Sequence, residues 1–230
     1  MRLIPVVAAA FILSLSTPAF AQEWVEFVSR DDRVTVTFPV QPDVTQTTYK
    51  SQFGADLPAR VYSAVQGQSR FSLTVADYSQ IERILTEKAK SCPPGAETCR
   101  GGGSSTGAGY FRADIAGAII YATWQFMQRD AKVTYMGWNN IDLVGGHMLS
   151  LTNNADKSRT SAAIYMHANK LYILEGTVPA GYPEPGFFQQ SIAWLDENGN
   201  GMRYETLYHQ SFPTPPVANR GGRGQGPGGN

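Results

Sequence analysis

The run RTSAAIYMHANKLYILEGTVP, residues 159–179, constrains the fold more than any other stretch of the chain. Two apolar segments rich in β-branched and aromatic residues are separated by Ala168-Asn169, so the run reads as a tight antiparallel hairpin. With that turn His167 stands opposite Lys170 and Tyr165 opposite Tyr172, and opposed residues share a face. One face then carries Ile164, Met166, Leu171 and Ile173, the other Ala163, Tyr165, Tyr172 and Leu174. An antiparallel strand with one wet face alternates apolar with polar residues. Here both faces are apolar, so both need cover. The expected fold class is α+β: a central antiparallel sheet flanked by helices on both faces, in a single domain.

The remaining patterning supplies the other elements. RVTVTF alternates Val34, Val36 and Phe38 with polar residues and stops at Pro39, as a half-buried strand does. VTQTTYK, ARVYSAV and RFSLTVADY read as three more strands in a meander, with Gly54 and Gly67 at turns. SQIERILTEKAK changes to helical spacing, with Ser79 a candidate N-cap and lysines near its end. YFRADIAGAIIYATWQFMQRDA fits a helix or a strand by period, and its length and alanine content favour the helix. Strands are expected near 132–138 and 148–152, and EPGFFQQSIAWLD reads as a closing helix with Phe187, Phe188, Ile192 and Leu195 toward the core.

The two ends do not look like fold. Arg2, an apolar run and Ala19-Phe20-Ala21 have the order of a secretory signal peptide over 1–21. The apolar run is shorter than the roughly 20 residues of a bilayer span, so no membrane insertion is expected after cleavage. Residues 213–230 are rich in proline and glycine and are expected to be a disordered tail. The single α+β sandwich domain then occupies 22–212, exported to the periplasm or secreted. The chain has 19 basic and 19 acidic residues, and without Arg2 it has 18 against 19. That balance gives no electrostatic case for a nucleic-acid partner. Cys92 and Cys99 bracket PPGAET, and in an oxidising compartment such a pair is expected to form a disulfide.

The chain resembles the PsbP-like α/β sandwich group, in particular its exported bacterial members of unknown role. The resemblance rests on VTVTFPVQPDV near the start and on LVGGHMLSL, RTSAAIYMHANKLYILEGTVP and GFFQQSIAWL later. It implies an antiparallel sheet sandwiched by helices, without known catalytic residues in most members. The cysteine loop and the following glycine run depart from that pattern, and no functional residue carries over.

Candidate chemistry is sparse. G-x-S-x-G, H-E-x-x-H and Walker motifs are absent from the sequence, and no catalytic residue, cofactor or nucleic-acid site is expected. His147, His167 and Glu175 are the polar residues that could form a dispersed site if the fold brought them together. Trp138, Tyr165 and Tyr172, with Trp124, Tyr135 and Trp194, could line a ligand pocket or fill the core. Asp196, Asn198, Asn200 and Gly201 match the first half of a calcium loop. Its twelfth position is Leu207, so a chain reversal is the expectation. Three functions remain open: a non-catalytic binding or accessory module for an unknown protein or small molecule, an enzyme using His147, His167 and Glu175, and a calcium-stabilised structural domain.

Overall fold

The structure is a computed structural model that describes residues 24–94, 110–210 and 212–218. In chain order its elements are β1 (Val25–Ser29), β2 (Val34–Phe38), β3 (Asp43–Lys50), β4 (Asp56–Gln66), β5 (Ser69–Asp77), α1 (Ile81–Lys90) and α2 (Tyr110–Met127). There follow β6 (Ala131–Ile141), β7 (Val144–Asn153), β8 (Arg159–His167), β9 (Lys170–Val178), α3 (Gly186–Gln189), β10 (Ala193–Leu195), β11 (Gly201–Tyr204) and β12 (Val217–Ala218). Seven strands form one sheet in the order β3-β4-β5-β9-β8-β7-β6, and five form a second in the order β1-β2-β10-β11-β12.

The hairpin that dominates the sequence lies at the middle of the larger sheet. His167 pairs with Lys170 and Tyr165 with Tyr172, as the two-residue turn requires. Ala168 and Asn169 take positive φ, 47° and 59°, the left-handed pair that matches the twist of the flanking strands. Ala168 is an unusual residue for that region, and the C-terminal segment holds it there. The Ala168 amide donates to the Tyr208 hydroxyl, and the Asn169 amide donates to Gln210 Oε1. Every residue of β8 from Thr160 to His167 is buried, as is most of β9.

The expectation of helices on both faces is overturned. One face of the larger sheet packs Leu149, Ala162, Ile164, Met166, Leu171 and Ile173 against α1 and α2. The opposite face packs Tyr62, Leu73, Ala163, Tyr165, Tyr172 and Leu174 against the second sheet, with Val34, Val36, Phe38 and Trp194 filling the space between. The molecule is a mostly β sandwich with helical cover on one side. The closing segment decides this: it makes a four-residue helix, α3, and then turns to strand at β10. Ile192 and Trp194 are buried while Ala193 is half-buried, a period of two that also fits the sequence. Trp194 pairs with Val34 on one side and Met202 on the other, so β10 completes a ladder that an isolated helix would leave open.

α2 forms as its alanine-rich composition suggests. It buries Asp114, Ala118, Ala122 and Phe126 at successive i, i+4 positions. α1 buries Ile81, with Ile84 and Leu85 packed partly beneath it. Ser79 does not cap it; the Ser79 amide instead donates to Asp77 Oδ1. Gly146 marks a close approach: a Cβ there would meet the Ile164 carbonyl oxygen and the Tyr165 ring, so no larger residue fits without moving β8. The chain from 213 onward reaches β12, which pairs with β11 through Tyr204 and Val217. The expected signal segment, 1–21, and Cys99 lie outside the described residues. Cys92 is buried just past the end of α1.

Candidate functional site

The three polar residues singled out in the sequence do not meet. His167 ends β8 on the face turned to the second sheet, where its ring packs against Trp194 at 4.8 Å and Tyr208 at 5.0 Å. Its Nε2 lies 2.8 Å from the Tyr204 hydroxyl, and Nδ1 meets no hydrogen-bond partner among the described residues. Burial, assisted by the nearby Arg33 charge, lowers its pKa to about 4, so the ring is neutral at neutral pH.

His147 lies on the opposite face, beneath α2. Its Nδ1 is 2.9 Å from Thr123 Oγ1, and that hydroxyl donates its one proton to the Ile119 carbonyl at 2.8 Å. Nδ1 must therefore carry the hydrogen, leaving the lone pair on Nε2. Burial lowers the His147 pKa and keeps the ring neutral. Glu175 shares that face but stands two strands away, roughly 10 Å across the ladder. Both of its oxygens are taken by Arg129, at 2.6 and 2.9 Å, and the guanidinium stacks on Phe126 at 3.9 Å. This clamp fixes the C-terminal end of α2 to β9. It offers no free carboxylate to a substrate.

The aromatic candidates divide into two groups. Tyr165, Tyr172 and Trp194 are core. The Tyr165 hydroxyl accepts from Asn139 at 3.0 Å, Tyr172 donates to the Asp32 carbonyl at 2.6 Å, and the Trp194 indole donates to the Ile141 carbonyl at 2.9 Å. Trp124, Tyr135 and Trp138 face solvent, with neither core nor pocket around them. Trp138 lies on the helix side of the larger sheet and Tyr135, paired with Ser150, on the opposite face. α2 packs on β8, β7 and β9, and β6, the edge strand of the larger sheet, contributes Ala131 and Val133 to the core beneath it. Further along β6, Met136 and Trp138 are exposed, as are Ile120 and Met127 on the outer side of α2.

Two polar centres that the sequence reading missed are structural anchors. Asp32, in the β1–β2 turn, is buried and accepts from Arg60 Nε at 2.9 Å, Arg60 Nη2 at 2.6 Å, Lys170 at 2.9 Å and the Tyr62 hydroxyl at 2.5 Å. Burial pushes its carboxyl up, but the bonds from Arg60, Lys170 and Tyr62 together bring it below its ordinary value. On α2, Asp114 accepts from the Ser51 hydroxyl at 2.5 Å and from the Gln52 amide at 3.2 Å, tying the helix to the β3–β4 turn. Burial raises the Asp114 pKa against these bonds. In sequence each aspartate looks like any surface acid; apart from Ser29 beside Asp32, the side chains that hold them lie between 28 and 138 residues away, beyond any local pattern.

The calcium-like stretch is the β10–β11 turn. Asp196 Oδ1 accepts from the Asn198 and Asn200 amides at 2.8 Å each, and Gly199 takes a φ of 84°. These bonds to the loop's own backbone account for the Asp/Asn spacing. The turn follows a strand, where the sequence suggested the end of a helix. Among the described residues no group of three or more His, Cys, Asp or Glu is placed to hold a metal ion. A shallow polar cleft of about 470 Å³ lies between the second sheet and the β6–β7 turn, lined in part by Glu26, Thr35, Thr37, Asn140 and Ser191. It contains none of the candidate site residues named from the sequence.

No family model matches the chain, and no curated protein matches it. Among solved structures it is similar to CyanoP, the cyanobacterial PsbP of Synechocystis. Sequence identity is 11% and the TM-score 0.43, covering 79% of this chain and 98% of that one. That distance brings no functional residue with it. Among the described residues no helix is long and apolar enough to cross a membrane.

Proposed function

We propose that this protein is an exported, non-catalytic binding or accessory domain, periplasmic or secreted, whose docking surface is the apolar face formed by α2 and β6. The observation that carries the reading is the exposure of large apolar side chains on both elements, Met136 and Trp138 on β6 and Ile120, Trp124 and Met127 on α2. Large apolar side chains grouped in this way mark interaction surfaces more often than isolated exposed ones do. The division of polar groups supports the non-catalytic part: His167 and His147 lie on opposite faces, and Glu175 is held by Arg129. An acid/base mechanism needs donor and acceptor within hydrogen-bond reach of one reacting group, and these three have no common cleft.

Amide hydrogen exchange tests this. The native protein is compared in buffer and in extract of the compartment that receives it, alongside Trp138→Ser. Slower exchange along α2 and β6, lost in the variant without a change in thermal midpoint, is the expected result. Protection confined to the polar cleft, or no protected segment under any condition, would refute the reading.

A further inference from the structure

We infer that the occupant of the α2–β6 face is a second copy of this chain, joined through antiparallel pairing of β6 with β6 about a two-fold axis. This rests on the reading of that face as the docking surface. The argument begins with the two edges of the larger sheet. β3 carries Asp43, Gln46, Thr47, Thr48 and Lys50 along its length, the polar and charged dressing that blunts an edge. β6 lacks it. A register shift between Val133 and Tyr135 interrupts the ladder early, and beyond it Tyr135–Ile141 runs regularly against β7. Those seven residues include no proline and no charged side chain. No described strand pairs with their outer side.

Self-pairing over Tyr135–Ile141 opposes no like charges, the feature that most often forbids a strand from meeting its own copy. It also places the exposed apolar groups together. Met136 and Trp138 share the helix-side face with Leu149 and His147 by their pairing in β7. Thr123, the residue bonded to His147, marks the flank of α2 toward β7, and at about 3.6 residues per turn Met127 and Ile120 turn roughly 40–60° further outward from it. That flank faces the sheet edge. With α2 centred over β8, five strand spacings of about 4.8 Å separate the two helices of a dimer by roughly 24 Å. Subtracting about 10 Å for the helices' own width leaves a trough roughly 14 Å wide above the seam. Met136 and Trp138 from both copies stand in it, with Ile120 and Met127 on its outer rims. Tyr135 pairs with its neighbours on the other side of the sheet.

The area fits a weak dimer that dissociates on dilution. On β6, Tyr135 is 53% exposed, Met136 53% and Trp138 60%. Side chains of this size bury about 200 Å² when fully covered, so these three supply at most roughly 330 Å² per copy. The pair reaches about 650 Å² before the strand backbones are added, the low end of the range for transient interfaces. Closed two-fold symmetry also ends the assembly at two, because β6 is used once per copy.

The test combines light-scattering mass on the full mature protein with hydrogen exchange, over a dilution series, for the wild type and for the double variant Met136→Lys, Trp138→Lys. Both substituted side chains are exposed, and an unchanged thermal midpoint at low protein concentration shows that the variant folds. The expected result is a wild-type mass twice that of one chain that falls on dilution, slowed exchange in Tyr135–Ile141 only in the dimer, and a variant of single-chain mass. A wild type of single-chain mass at high micromolar concentration overturns the self-pairing. If its β6 amides then become protected in compartment extract, the docking face stands with another occupant; if they stay unprotected there too, both readings fall. A dimer that survives the double substitution overturns the β6 seam.

Discussion

Replacing Asp32 with asparagine removes one charge from the most densely bonded carboxylate among the described residues while keeping its volume. The wild-type carboxylate is 2% exposed and receives donors from Arg60, Lys170 and Tyr62, tying the β1–β2 turn of one sheet to β4 and β9 of the other. Breaking a fully buried ion pair by removing one partner costs about 3–5 kcal/mol. Here the Arg60 side chain is 33% exposed and Lys170 17%, so water partly replaces the lost partner, and the asparagine oxygen still accepts one bond. The expected loss is about 2–4 kcal/mol at neutral pH, or roughly 5–15 °C in midpoint for a chain of this size. The pH dependence follows from the lowered carboxyl pKa. Unfolded, an aspartate titrates near about 3.9, so the wild-type advantage is fully present above that value and is lost as pH falls through the lower folded value. Urea denaturation of both proteins at neutral pH and at successively lower pH reads this directly. A neutral-pH difference below about 0.5 kcal/mol, the scatter of ordinary surface changes, or a gap that widens in acid, would refute the network as an anchor.

Three further outcomes are expected. His167 is held neutral with a pKa of about 4, whereas the unfolded chain takes up its proton near about 6.5, so stability should fall by up to about 3 kcal/mol between those values. Denaturation midpoints for His167→Gln should lose most of that acid slope, and a slope equal to the wild type would disprove the assignment. Ile173→Ala in β9 removes a buried group packed between sheet and helices and should cost about 2–4 kcal/mol, checked by an unfolding curve; an unmoved midpoint would make that strand peripheral. Cys92 and Cys99 should resist alkylation until reductant is added, read by intact mass, and two alkylated thiols without reductant would exclude the pairing.

Much of the strand order was legible because it is written in local patterns. The period of two in β2, β4 and β5, and the two-residue spacing between β8 and β9, specify strands and register without reference to the rest of the chain. The closing segment was misread for a physical reason. Phe187, Phe188, Ile192 and Leu195 fall at helical spacing, while Ile192 and Trp194 alternate as a strand would, and the local signal does not choose. An open ladder beside β2 chose. β1, β11 and β12 are too short to stand out, and they pair because β2, β10 and β11 respectively present edges to them.

The candidate site divides along the same line. The sequence by itself determined that the central hairpin is buried on both faces, because neither face has polar residues enough to meet water. It also limited the chemistry, since a chain with three scattered histidines has few ways to assemble a catalytic group. Only the tertiary structure decided what covers each face, that Asp32 and Asp114 are anchors, and that Trp138 and Met136 are left outside while Tyr165 and Tyr172 are enclosed. Those outcomes depend on where an eighteen-residue helix comes to rest on one face of a seven-stranded sheet and where the second sheet comes to rest on the other. Burial is a property of distances between segments far apart in the chain, and hydrophobicity alone does not specify which apolar residues those distances will leave uncovered.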